Sequence, residues 1–178
     1  RLPNTLTSVI WGMTEGIGSS CWPQDPPERV IGTDGKAFLG TELNILGPDG
    51  EHLSHGAEGE LVIRGPQRFL GYFGRQELDD EVFLPDGWLR TGDVASMDAE
   101  GYLKISGRSK EIIIRGGANI SPAEVEAALS SDPRIRRIAV VAIADKRLGE
   151  RLCACIVPVE PGAGPTLHDV KNMAERAG

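Results

Sequence analysis

Long apolar runs are missing from these 178 residues. No stretch approaches the ~20 residues a membrane-spanning helix needs. Positive charge is short. Lys and Arg number 19 against 26 Asp and Glu, a net of −7, which argues against nonspecific nucleic-acid binding. Histidine occurs three times, at His52, His55 and His168, scattered singly, and each is expected on the surface. Cysteine also occurs three times. An odd count fits a reducing, cytoplasmic setting better than a disulfide framework. Cys153 and Cys155 stand two apart, so in a strand they share a face and read as small apolar fillers. A metal site is not expected there, because no second Cys or His cluster closes four ligands. The opening "RLPNTLTSVIWG" lacks the basic start and long apolar segment of a signal peptide. Internal repeats and low-complexity tracts are absent as well.

What is present is ordinary for a folded protein: 40% hydrophobic and 25% charged residues, enough to bury a core. The charge is uneven. Residues 1–110 hold 10 Lys and Arg against 17 Asp and Glu, a net of −7, whereas residues 111–178 hold 9 of each. A shift in charge balance near 110 is a sign of a boundary.

The elements expected from pattern change there too. "LTSVI" (6–10) reads as a short buried strand. "SSCWPQDPPERV" reads as a Pro-rich loop. "TELNIL", the turn "GPDG" and "ELVIR" make one hairpin, and "RQELDDEVF" has a helical look. "DVASM", "DAEG" and "YLKISG" make a second hairpin. After "GRSKE" comes the apolar strand "EIIIR", then Gly116-Gly117 and a helix start. Ser121 is an expected N-cap, Pro122 suits the first helical position and Glu124 completes a capping box. Val125, Ala128 and Leu129 share one helix face. "RIAVVAIAD" and "LCACIVPV" are two further strands. Thr166 caps a last helix with Leu167, Val170, Met173 and Ala174 inward. The layout is α+β: a mostly-β, barrel-like part followed by a small α+β lobe.

Two short stretches carry chemistry. In "WGMTEG", an aromatic face can stack on a flat base and glycine lets backbone approach closely. The Thr hydroxyl suits a phosphate, and Glu offers a hard oxygen to Mg²⁺. Taken alone, the same residues also read as a strand end with a buried Trp11 and an exposed Glu15. In "WLRTGD", Asp93 is either a plain turn residue or a fixed acceptor for hydroxyl groups, since one carboxylate can accept from two vicinal hydroxyls.

"WGMTEG", "GELVIRGPQRFLGYF", "GWLRTGD" and "GYLKISGRSKEIIIRGGANISPAEVE" together span nearly the whole chain. They closely resemble the adenylate-forming superfamily of acyl-CoA and aryl-CoA synthetases, peptide-synthetase adenylation domains and luciferases. The resemblance implies that Asp93 accepts the ribose hydroxyls of ATP, with Arg108 beside the same ribose. Trp11, where the family commonly carries Tyr, is implied against adenine next to Gly12. Thr14 is implied near the phosphates and Glu15 on Mg²⁺. Lys110 falls at the family's hinge. Gly116 and Gly117 match a loop that lines the CoA pantetheine tunnel; a simple turn before the capped helix is the alternative. By the same resemblance, residues 1–28 end a large N-terminal AMP-binding domain, 29–108 form its β-rich subdomain, and 109–178 are an incomplete, mobile C-terminal domain.

The family's Gly- and Ser-rich phosphate loop has no match here, and neither does its late Gly-Lys block. The expectation is therefore the C-terminal third of a larger enzyme, inactive by itself. The parent would activate a carboxylic, fatty acid with ATP and pass it to CoA. Two other readings stand beside this one: an adenylation domain that loads a carrier-protein thiol, and a non-catalytic nucleotide-binding or regulatory module. Luciferase-type oxidation fits less well, because Ile114 stands where a basic residue is expected.

Overall fold

The computed structural model describes residues 7–177. Ile10–Met13 (β1) turns through Thr14-Glu15 into Gly16–Ser20 (β2), with Met13 paired to Gly16. This differs from the strand expected at 6–10, of which residue 6 lies outside the described residues. "WGMTEG" does not follow a strand; it is most of a hairpin. The partner strand Gly-Ile-Gly-Ser-Ser has little β propensity. It is held instead by side chains: Ser19 Oγ donates to Asp34 O at 2.6 Å and Ser20 Oγ to Val9 O at 3.2 Å. The Pro-rich loop contains a six-residue helix, Pro27–Gly32 (α1), begun by Pro27 with its fixed φ. Lys36–Ala37 (β3) then pairs with β2 to finish a three-stranded sheet.

Both expected hairpins form. Glu42–Leu46 (β4) pairs with Glu58–Arg64 (β5), and Gln76–Val82 is helical (α2). Leu89–Met97 (β6) and Leu103–Arg108 (β7) flank the Asp98–Gly101 turn, where Asp98 Oδ1 accepts from the amides of Glu100 and Tyr102. The sheet order is β4-β5-β6-β7. Successive strand residues face opposite sides, so this sheet has two cores. Ile45, Leu61, Ala95 and Leu103 fill one, with Trp11 packed against them; Leu46, Val62 and Trp88 fill the other.

The chain divides into two units, Arg1–Ile105 and Ser106–Gly178. In the second, Ile113–Arg115 (β8) pairs with Ala118–Ile120 (β9), a strand not expected from the sequence. Gly116 (φ 61°) and Gly117 (φ 89°) make the two-residue turn between them, the left-handed pair that a tight hairpin requires. Helix Pro122–Leu129 (α3) starts as expected. Ser121 Oγ accepts from the Glu124 amide at 3.3 Å and donates to Ser106 O, and Leu129 is buried. Ile135–Asp145 (β10) and Gly149–Pro158 (β11) form a long antiparallel pair in the order β10-β11-β8-β9, and Leu167–Ala177 (α4) follows.

Two expectations about burial fail in this unit. Leu167 is 71% exposed at the first position of α4; Val170, Met173 and Ala174, farther along the helix that packs against α3, are half-buried. Cys155 is exposed and Cys153 half-buried, since their face of β10–β11, opposite Ala139 and Val141, is not the one α3 covers. Among the described residues no helix is long and apolar enough to cross a membrane.

Candidate functional site

Thr91-Gly92-Asp93 is no turn; it lies inside β6. Glu60 pairs with Val94 and Val62 with Arg90, so one residue of β5, Leu61, faces three of β6. The excess is a β-bulge, and Gly92 absorbs it at φ 72°. Thr91 repairs the interrupted ladder. Its hydroxyl donates to Leu61 O at 2.8 Å and accepts from the Asp93 amide at 3.1 Å. The bulge thereby aims the Asp93 side chain, which is only 4% exposed. A buried carboxylate is costly unless hydrogen-bonded, and the indole Nε1 of Trp11 donates to Asp93 Oδ2 at 2.9 Å. Two stretches that are 82 residues apart in sequence thus meet in one contact.

Trp11 reaches Asp93 because β2 makes room for it. The indole lies across Gly18, where a Cβ would stand 2.0 Å from Cζ3. The ring is half-buried. Gly12 and Thr14, farther along the same hairpin, are exposed.

Glu15 occupies the turn and is half-buried. Its Oε1 accepts from the Tyr72 hydroxyl at 2.7 Å. That bond favours the protonated phenol and, with burial second, raises the Tyr72 pKa above its usual value. The Tyr72 amide in turn donates to Asp79 Oδ1 at 2.8 Å. Tyr72 lies in the "GYF" that ends one of the four family-like blocks. The signal it held was a phenol, a donor that seeks a partner when half-buried. Asp34, on the far side of β7, is a second unforeseen carboxylate: its Oδ2 accepts from the Ile105 amide at 2.7 Å.

Among the described residues no group of three or more His, Cys, Asp or Glu could hold a metal by itself. A hollow of about 690 Å³ in the same unit is lined by Glu42, Arg64 and Trp88 among others. Its cation is already engaged: Arg64 bonds both Glu42 oxygens, at 2.6 and 3.0 Å, and stacks over Trp88. That hollow shares no lining residue with the Trp11–Asp93 contact.

The remaining candidates fall in the second unit. Arg108 ends β7, and its carbonyl accepts from the amides of Glu111 and Ile112 at 2.9 and 3.1 Å. Lys110 is exposed in that turn. Gly116 and Gly117 form the β8–β9 turn; a Cβ on Gly116 would stand 3.3 Å from Leu148 Cδ2, and one on Gly117 would meet nothing within 4 Å.

Residues 1–73 match the model of the AMP-binding enzyme family, and 124–177 match that of the AMP-binding enzyme C-terminal domain. The chain is 44% identical over 168 residues to the medium-chain fatty-acid–CoA ligase of Escherichia coli, covering 94% of this chain and 30% of that protein. It is 38% identical over 170 residues to the salicyl-AMP ligase / salicyl-S-ArCP synthetase of Mycobacterium tuberculosis, covering 95% and 30%. ATP-bound MatB from Rhodopseudomonas palustris superposes with a TM-score of 0.85 at 30% identity, covering 95% of this chain and 33% of that one. The chain therefore spans about a third of the length of these relatives.

Proposed function

Because the chain belongs to the adenylate-forming, AMP-binding enzyme family, we propose that it is part of an ATP-dependent acyl-CoA ligase acting on a carboxylic, fatty acid. In such a reaction a carboxylate oxygen bonds to the α-phosphorus of ATP and pyrophosphate leaves. The thiol sulfur of CoA then attacks the acyl carbon, and AMP departs. The observation that carries the nucleotide part is the buried Asp93 carboxylate, aimed by a bulge and held by Trp11. In this reading Asp93 accepts the ribose hydroxyls, while Arg108 lies by the same ribose. Trp11 and Gly12 border the adenine, and Thr14 meets the phosphates. Glu15, oriented by Tyr72, would hold Mg²⁺, which when bound supplies charge neutralisation at the phosphates. Lys110 sits where torsions absorb rotation of the second unit, and Gly116-Gly117 leave room for the pantetheine chain of CoA. The 178 residues alone are not expected to form acyl-adenylate, for want of the phosphate loop and late lysine.

Similarity to the carrier-protein-loading relative at 38% identity favours a second reading, in which a carrier-bound thiol replaces CoA. Acyl transfer assayed with CoA and with carrier protein separates the two. The nucleotide reading is tested by Asp93→Ala in the full-length protein. One charge-assisted hydrogen bond contributes about 1.5–3 kcal/mol, so the loss of even one should raise the ATP Kd by roughly tenfold to a hundredfold. Unchanged ATP affinity together with a lowered melting temperature would leave Asp93 as a structural residue only.

A further inference from the structure

We propose that Trp11 is a positioning residue for ribose recognition, acting through Asp93 rather than only as an aromatic surface; the inference rests on the nucleotide reading of Asp93. The indole Nε1 donates to Asp93 Oδ2 at 2.9 Å. An indole N–H can only donate, so this contact always presents the same polarity to the carboxylate. The terminal torsion of an Asp side chain is broad and roughly two-fold. A donor fixed on one oxygen selects one rotation of the carboxylate plane, and with it the direction in which the acceptor lone pairs point.

Both sides of the contact are built. Asp93 is held from its backbone by the Thr91 hydroxyl and from its side chain by Trp11. The indole is held by the absence of a side chain at Gly18, where a Cβ would stand 2.0 Å from Cζ3 and 2.3 Å from Cε3. It is also held by the apolar cluster of Ile45, Leu61, Ala95 and Leu103 beneath it. Phenylalanine would keep a flat apolar ring here and lose the donor. Tyrosine would keep a donor but carry it on a rotating hydroxyl that also accepts.

The experiment compares ATP with its 2′-deoxy and 3′-deoxy analogues in the full-length protein. The quantity read is the ratio of the analogue Kd to the ATP Kd, in the parent and in Trp11→Phe, Asp93→Ala and a variant with benzothienylalanine at position 11. That amino acid places sulfur where the N–H was and keeps the indole outline, so it stays informative if the phenylalanine variant folds poorly. Losing one charge-assisted bond should weaken ATP about tenfold and lower the larger of the two ratios by about threefold or more. A platform role weakens ATP and both analogues by one common factor and leaves the ratios intact, which overturns the proposal. If Asp93→Ala also leaves the ratios intact, the ribose reading itself is what fails. A lowered ratio for Asp93→Ala with an unchanged one at position 11 sinks the positioning role alone.

Discussion

Among the described residues two short hairpins have two-residue turns, one in each unit, and their glycines serve opposite needs. In β1–β2 the informative glycine is Gly18, whose backbone needs no left-handed torsion and whose space is full: the indole of Trp11 occupies it. In β8–β9 the glycine is Gly117, whose space is empty and whose torsion, φ 89°, is the constraint. The first hairpin is committed to Asp93, 82 residues away; the second is tied to β11 in its own unit, where the Gly116 amide donates to Leu148 O at 2.8 Å. A binding side chain that must keep one orientation is anchored by contacts far apart in sequence. The exposed β8–β9 turn is fixed by its own torsions and by neighbours within its unit.

Three substitutions sharpen or break this contrast. Gly18→Ala should do most harm. Its methyl would overlap the indole, and overpacking of this kind costs about 1–3 kcal/mol. Trp11 must leave its pose, so ATP affinity and melting temperature should fall together. Gly117→Ala should cost about 1 kcal/mol through its left-handed torsion, with ATP affinity unchanged. If its ATP Kd rises as far as that of Gly18→Ala, the second hairpin is not merely local. The smallest effect is expected from Asp132→Asn in the second unit. Hydrogen bonds from the Arg134 side chain, then from its amide, depress the Asp132 pKa from 3.8 to about 2. A depressed carboxyl favours the folded state above its ordinary pKa, and that advantage is lost as pH falls from 3.8 towards 2. The melting-temperature gap between parent and Asp132→Asn should therefore be constant near neutrality and close across that acid window.

The legible parts of the fold were those whose signals are local. The hairpins at 42–64 and 89–108 have β-branched alternation and Asp- or Gly-bearing turns, and α3 announces itself through Ser121, Pro122 and Glu124. The parts missed depend on partners elsewhere. Gly16–Ser20 carries no strand pattern; it is strand because Trp11, Asp34 and Val9 give its atoms something to bond. Ala118–Ile120 is three residues long, too short for periodicity, and the hairpin signal of the Gly-Gly pair before it is masked by the capping box that follows. For the site, residue types alone left Asp93, Trp11 and Glu15 open between structural and binding roles, and the family resemblance is what singled them out. The bond between the first two, and the Tyr72 hydroxyl on the third, needed coordinates, since no sequence pattern spans 82 or 57 positions.

The bulge in β6 has an arithmetic of its own. Three residues of β6 face one of β5, an excess of two, and an even excess leaves the inside–outside phase of the strand unbroken. Leu89 and Ala95 therefore sit on opposite sides of the insertion and are both buried. Removing Gly92 alone would invert everything after it, moving Ala95 from its own core to the opposite face of the sheet and Val94 into its place. Removing Gly92 and Asp93 together would close the ladder in phase. The sheet could lose its carboxylate and still be a sheet, so the site is a graft that the scaffold tolerates only in pairs of residues.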